Sequence, residues 1–175
     1  MIRIVTPRFL LRSLIPDDAS ERYGSWLDED TARRFIAGAA DPHDMTSLRA
    51  YIAEKNDRDD TLFLGIFALE SGEHIGNIKY EPIDVERRYA VMGILIGDPS
   101  WRGKGVAQEV IEASADWLRA NLNIAEIVLG VSRDNAPGIR AYEKAGFSHT
   151  TSQGILTDSA TSLVMVRRLG DHHPR

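Results

Sequence analysis

The stretch Ile94-Leu95-Ile96-Gly97-Asp98-Pro99-Ser100-Trp101-Arg102-Gly103-Lys104-Gly105-Val106-Ala107 carries an apolar strand through a turn and directly into a helix. Such a junction is either a tight strand-to-helix turn with solvated charges or a place where the backbone faces an anion. Glycines at 103 and 105 let successive N–H groups converge on phosphate oxygens, and a helix starting here adds the positive end of its dipole. Arg102 and Lys104 place full charges beside it, and spacing alone does not say which of them points at a phosphate. Two familiar phosphate loops fail on the residues. A Walker A loop needs glycine at the position held by Asp98 and Ser or Thr at the position held by Gly105. A dinucleotide fingerprint starting at Gly103 needs glycine or alanine where Gln108 stands.

Downstream of this turn, residues from Gly103 to about Leu122 read as a long amphipathic helix, with Val110, Ile111, Ser114, Trp117, Leu118 and Leu122 near one stripe. Glu126 to Ser132 reads as a strand, Asn135 to Ala145 as a short helix stopped by Gly146, and Phe147 to Gln153 with Ser162 to Leu169 as a closing hairpin. Upstream, Tyr89 to Gly97 is a strand, preceded by a hairpin of Leu62–Leu69 and His74–Tyr80 across the turn Glu70-Ser71-Gly72-Glu73. Phe9 to Ile15 is a first strand closed by Pro16, and Asp17 or Asp18 offers a cap for a short helix through about Leu27. A second helix is expected over Asp30 to Phe35 and a loop over Gly38 to His43. Asp44 or Thr46 then caps a helix carrying Leu48, Tyr51 and Ile52 on one face. Strand, helices, three antiparallel strands, helix, strand, helix and two strands together predict a mixed α+β sheet with helices on both faces. That order names no function.

Composition bounds the alternatives. The 175 residues suit one domain over residues 1–170, with residues 171–175 as a disordered tail that contains His172 and His173. The chain is 43% hydrophobic and 27% charged, without a long apolar run or a signal-like N-terminus, so a soluble, cytoplasmic protein with no membrane partner is expected. Cysteine is absent, which removes disulfides, thiolate zinc sites and a cysteine nucleophile, and no metal site is expected. A net charge of −5 gives no footprint for nucleic acid and is compatible with a cationic amine.

Arg102-Gly-Lys-Gly-Val-Ala107 resembles the Arg/Gln-x-x-Gly-x-Gly/Ala pyrophosphate loop of the GNAT superfamily of N-acetyltransferases. About thirty residues later, Asn135-Ala136-Pro137-Gly138-Ile139-Arg140-Ala141-Tyr142-Glu143-Lys144-Ala145-Gly146-Phe147 is similar to that superfamily's second signature: an asparagine opening a short helix, a tyrosine two turns on, and Glu-Lys-x-Gly-Phe. Taken alone, Asn135 is equally a helix cap and Tyr142 a packed aromatic. Thr6-Pro7-Arg8-Phe9-Leu10-Leu11-Arg12 and Ser25-Trp26-Leu27 resemble, less sharply, the start of the branch with ribosomal-protein N-terminal and sugar-amine acetyltransferases.

The resemblance implies a mostly antiparallel sheet whose two central parallel strands splay apart to admit the pantetheine arm of acetyl-CoA. By position the cofactor would meet the strand edge Leu95, Ile96 and Gly97 and the turn Arg102, Gly103, Lys104, Gly105, Val106 and Ala107, with Asn135 positioning its arm. Gly97 is consistent with a bulge that opens the sheet. Tyr142 would donate the proton to the departing thiolate. Some N-terminal acetyltransferases carry a glutamate base five residues before this asparagine, where this chain has Gly130. Glu81 is then the candidate base, with a water relay as the alternative. The acceptor expected is a small primary amine such as an amino sugar, or alternatively a peptide N-terminus, walled by residues 22–60 with Trp26, Phe35 and Tyr51. A non-catalytic acyl-CoA-binding module is the other reading. A homodimer through Ser162 to Leu169 is also expected, although the same apolar run reads as a core strand.

Overall fold

A computed structural model describes residues 1–27, 44–150 and 155–170. The helix expected over Asp30 to Phe35, the loop before Asp44, the far end of the first closing strand and the tail all fall outside those residues.

Chain entry is a hairpin. β1 (Arg3–Val5) pairs antiparallel with β2 (Phe9–Ser13). β1 was not expected, because three residues display no periodicity to read. β2 stops before Leu14, which turns into a buried cluster. Asp17 and Asp18 do not cap the next helix: Pro16–Asp18 form one 3-10 turn, and the Asp18 carboxylate accepts from Arg12 Nη1 and Nη2 at 2.8 and 2.7 Å. Ser20 is the cap instead, its Oγ accepting from Tyr23 N at 3.1 Å to start α1 (Glu21–Trp26). Asp44 caps α2 (Met45–Asn56) through Thr46 N at 3.0 Å.

β3 (Leu62–Ala68), β4 (His74–Asp84) and β5 (Tyr89–Ile96) form the expected antiparallel meander. α3 (Val106–Leu122) starts three residues later than expected, because Gly103 and Gly105 sit at φ +71° and +74° and cannot belong to a right-handed helix. β6 (Glu126–Ser132), α4 (Ala136–Lys144), β7 (Ser148–His149) and β8 (Ser162–Arg168) follow. The strands make one sheet of order β1-β2-β3-β4-β5-β6-β8-β7.

Alternation along the strands sorts the core into two clusters. Leu62, Leu64, Ile66 and Ala68 of β3 join the cluster that holds Val106, Val110, Ile111, Ala115 and Leu118 of α3, with Ile139 and Tyr142 of α4 packed against it. Phe63 and Phe67 point the other way and join Tyr23, Trp26, Leu48, Tyr51 and Ile52 of α1 and α2. With side chains at period two, the clusters lie on opposite faces of the sheet. On the first face Tyr80 and Ser114 share a buried 2.7 Å hydrogen bond that fixes α3 on β4.

β8 is an interior strand. It pairs with β6 along its whole length, and its other side meets β7, the Thr150 N–H at the Val164 carbonyl, and the Asp158 carboxylate at the Val164 N–H. The pairing of two chains expected through Ser162 to Leu169 therefore meets an occupied edge, and the core-strand alternative describes the segment.

Candidate functional site

The only parallel pair among the described strands, β5 with β6, holds together at Tyr89, Ala90 and Val91 opposite Glu126, Ile127 and Val128, and then parts. Met92 to Ile96 on one side and Gly130 and Ser132 on the other become walls of a groove of about 730 Å³. Its remaining walls are the turn from Trp101 to Gln108 and the α4 residues Pro137 to Lys144. The size suits an extended small-molecule ligand. Arg102, Arg140 and Lys144 line it, and among the described residues no carboxylate does, so the groove attracts a polyanion.

The start of α3 opens into this groove. Ser20, Asp44 and Asn135 cap α1, α2 and α4 with side-chain oxygens, whereas Gly105 gives α3 no side-chain cap. A helix start whose first-turn N–H groups lack a cap is an anion-binding element when its backbone is accessible, and Gly103, Gly105, Val106 and Ala107 all line the groove. Leu95 and Ile96 line it too. Arg102 reaches it and also donates from Nε to the Ile96 carbonyl at 3.2 Å, tying the turn to the strand end.

Three residues expected to meet the cofactor, Gly97, Lys104 and Asn135, do not line the groove. Lys104 is not a lining residue, and its ammonium sits over the Trp101 ring, 5.6 Å from the centroid. Asn135 folds inward: its Oδ1 accepts from Gly138 N at 3.0 Å, and its amide occupies the space a β-carbon would take at Gly138. The cap is thus what the side chain does here. The Gly97 and Asp98 N–H groups both donate to the Ile75 carbonyl, at 2.9 and 3.0 Å, two residues against one as in a β-bulge at the end of β5. The Trp26 indole fills the place of its missing β-carbon, and the register irregularities of the neighbouring strands lie at Ile66/Phe67 and Tyr80/Ile83. Gly97→Ala is accordingly expected to overpack this contact and cost about 1–3 kcal/mol in urea denaturation. An unchanged midpoint would contradict the packing account.

Tyr142 stands in the groove wall with its ring edge-on to Phe147 at 6.0 Å. Burial pushes its phenol above the ordinary tyrosine value. Its hydroxyl makes no hydrogen bond to the described residues. Gly130 faces the groove, with nothing within 4 Å of where a β-carbon would project. The sequence reading missed Arg140 and Lys144, whose one-turn spacing on the helix that carries Tyr142 was the available signal.

Glu81 is not placed as a base. Its carboxylate is held by Lys55 at 2.8 Å, Lys79 at 3.2 Å and Arg58 at 3.4 Å, and it does not line the groove. Burial pushes its carboxyl up, but the hydrogen bonds and charges of Lys55 and Lys79 outweigh that and leave it below its ordinary value. A depressed folded value stabilises the fold above the ordinary carboxylate range, and that contribution is lost as pH falls through the folded value. Glu81→Gln is therefore expected to weaken the fold near neutrality, to flatten its acid dependence and to leave the neutral-to-alkaline limb of any amine acetylation in place. A shift of that limb would restore Glu81 as the base. The expected aromatic wall is also corrected. Trp26 and Tyr51 are 7% and 5% exposed. Trp26 packs on His74, and Tyr51 packs edge-on to Phe63 while its hydroxyl accepts from Lys79 Nζ at 2.9 Å. Phe35 lies outside the described residues.

The geometry agrees with the comparisons. No helix among the described residues is long and apolar enough to cross a membrane. An N-acetyltransferase 9-like protein of Caenorhabditis briggsae is 27% identical over 135 residues, covering 71% of this chain and 66% of that protein, just under two thirds of its length. A putative ribosomal-protein-serine acetyltransferase from Vibrio cholerae shares the fold at TM-score 0.76 and 15% identity, over 96% of this chain and 98% of that one. A spermidine N-acetyltransferase from Vibrio cholerae, solved with CoA and spermine, does so at TM-score 0.69 and 18% identity, over 91% and 95%. Residues 8–148 match the family described as acetyltransferase (GNAT) domain, a span holding both the splayed strands and the turn into α3, and the chain belongs to that family.

Proposed function

We propose that this protein transfers the acetyl group of acetyl-CoA to a small primary amine, such as an amino sugar. The observation that carries the reading is the opening of β5 from β6 onto an uncapped helix start, in a groove with cations and no carboxylate among its lining residues. The residues fit the cofactor. The α3 start and Arg102 suit its pyrophosphate, and the edge of Met92 to Leu95, which β6 leaves, offers backbone partners to its amide-bearing arm. CoA is also the ligand in the solved spermidine acetyltransferase of the same fold.

Acetyl-CoA supplies the activated acyl group and a thiolate leaving group. The chain's residues hold it, orient it and handle protons. Backbone N–H groups of β5 polarise the acyl carbonyl, and Tyr142, protonated throughout the neutral range, gives its hydroxyl proton to the sulfur as charge develops there. An alkyl ammonium with a pKa near ~10 must lose a proton before it attacks. With Glu81 held by three cations and glycine at position 130, a water relay serves as the base.

α3 and α4 cover the cofactor side, so the acceptor approaches from the face of α1 and α2. A small amine is favoured over a peptide terminus because the groove carries no glutamate at position 130, although the ribosomal-protein acetyltransferase of the same fold keeps the peptide reading as the alternative. Thiol release from acetyl-CoA over amino sugars, polyamines, aminoglycosides and N-terminal peptides tests the choice. Turnover of small amines is expected. Turnover of peptides alone would overturn the acceptor, and absence of turnover with every amine would leave a binding module.

A further inference from the structure

Arg8 lies almost a hundred residues before the α3 turn in sequence, yet its side chain reaches both that turn and the first turn of α3. Its Nη1 donates to the Lys104 carbonyl at 3.0 Å, and its Nε donates to Glu109 Oε2 at 2.7 Å. Its backbone N–H and the Thr6 hydroxyl both donate to Glu109 Oε1, at 2.9 and 2.7 Å. The hairpin between β1 and β2 thus grips the first turn of α3 from outside the groove. Nothing in the proposed chemistry uses these residues.

The grip bears on the cradle for a geometric reason. In a planar trans peptide the C=O and the following N–H point in opposite directions. Lys104 lies between Gly103 and Gly105, both in the left-handed region, and glycine peptides rotate with little steric resistance. Anchoring the Lys104 carbonyl on Arg8 turns the Gly105 N–H away from Arg8. Glu109 adds an electrostatic reason. It is the acidic residue in the first turn of α3, and left unpaired it would repel an anion at the helix start. Arg8 and Thr6 occupy both of its oxygens.

We infer that Arg8 is a positioning residue for the acetyl-CoA pyrophosphate: through the Lys104 carbonyl and Glu109 it sets the Gly103 to Gly105 backbone in its anion-accepting orientation. The inference rests on the groove binding CoA, as proposed above.

Calorimetric titration of CoA and of pantetheine, which lacks the pyrophosphate, separates this role from a general structural one. Arg8→Ala is expected to weaken CoA binding by about 10-fold, the loss expected of one charge-assisted hydrogen bond, and to leave pantetheine binding unchanged. Arg8→Lys keeps the charge, but one ammonium cannot hold Glu109 and the Lys104 carbonyl in the same fork geometry, so it is expected to restore only part of the loss. It also carries the test if the alanine variant fails to fold. Wild-type CoA affinity in both variants, full rescue by lysine, or equal losses for CoA and pantetheine would each overturn the inference. If the wild-type protein itself does not bind CoA, the underlying reading fails and the inference falls with it, a result distinct from the other three.

Discussion

Replacing Tyr142 with phenylalanine is expected to lower kcat by ~100- to 10,000-fold while acetyl-CoA affinity stays at the wild-type value. The substitution removes one oxygen and keeps the ring, so the edge-on contact with Phe147 and the packing against the core survive. What disappears is a hydroxyl in the groove wall with no hydrogen bond to the described residues, free to meet the sulfur. Burial raises its phenol value, so the proton stays on oxygen below the ordinary tyrosine value of ~10. Any alkaline loss of activity due to Tyr142 should accordingly begin above that pH. Stopped-flow or steady-state thiol release, with calorimetry for affinity, reads both quantities. Wild-type kcat in the phenylalanine variant would remove Tyr142 from the chemistry.

Gly105→Glu should have the largest effect on binding, lowering acetyl-CoA affinity by at least about 100-fold, or about 2.7 kcal/mol. Gly105 sits at φ +74° at the cap of α3, where an L side chain is strained. A β-carbon there would also lie 3.8 Å from Arg8 Nη2. The new carboxylate would compete with Glu109 for Arg8 and place a negative charge where the pyrophosphate is proposed to bind. Because the residue lies at a helix end rather than in the core, the fold should persist, and circular dichroism checks that. Unchanged affinity in a folded variant would put the cofactor elsewhere.

How much of this was readable in advance follows from where the physics is local. The turn from Arg102 to Ala107 could be read because glycines, charge and a strand-to-helix switch occupy consecutive positions. Its consequence at the helix boundary, a start at Val106 rather than Gly103, needed the left-handed angles of both glycines. The meander, β6 and α4 followed from periodicity and capping. Gly97 was half legible: its bulge opposite Ile75 is local, whereas the Trp26 indole that packs against it comes from seventy-one positions earlier in the chain. Glu81 misled because the cations that neutralise it, Lys55 and Arg58, come from α2 and just after it. Asn135 was ambiguous between cap and ligand, and only the direction of its Oδ1 shows the cap. Arg8 was visible as part of the Thr6 to Arg12 stretch, but its link to Lys104 and Glu109 spans the fold. Local chemistry was legible, whereas contacts made by long-range packing were not.

Hydrogen–deuterium exchange with and without acetyl-CoA tests the central claim most directly. Bound cofactor should slow exchange of three walls of the groove: the β5 edge from Ile94 to Ile96, the turn from Gly103 to Ala107, and α4 around Tyr142. The outer hairpin of β1 and β2 should change little beyond the Arg8 contact. Protection absent from all three walls, or confined to α1 and α2, would contradict a cofactor seated between the splayed strands.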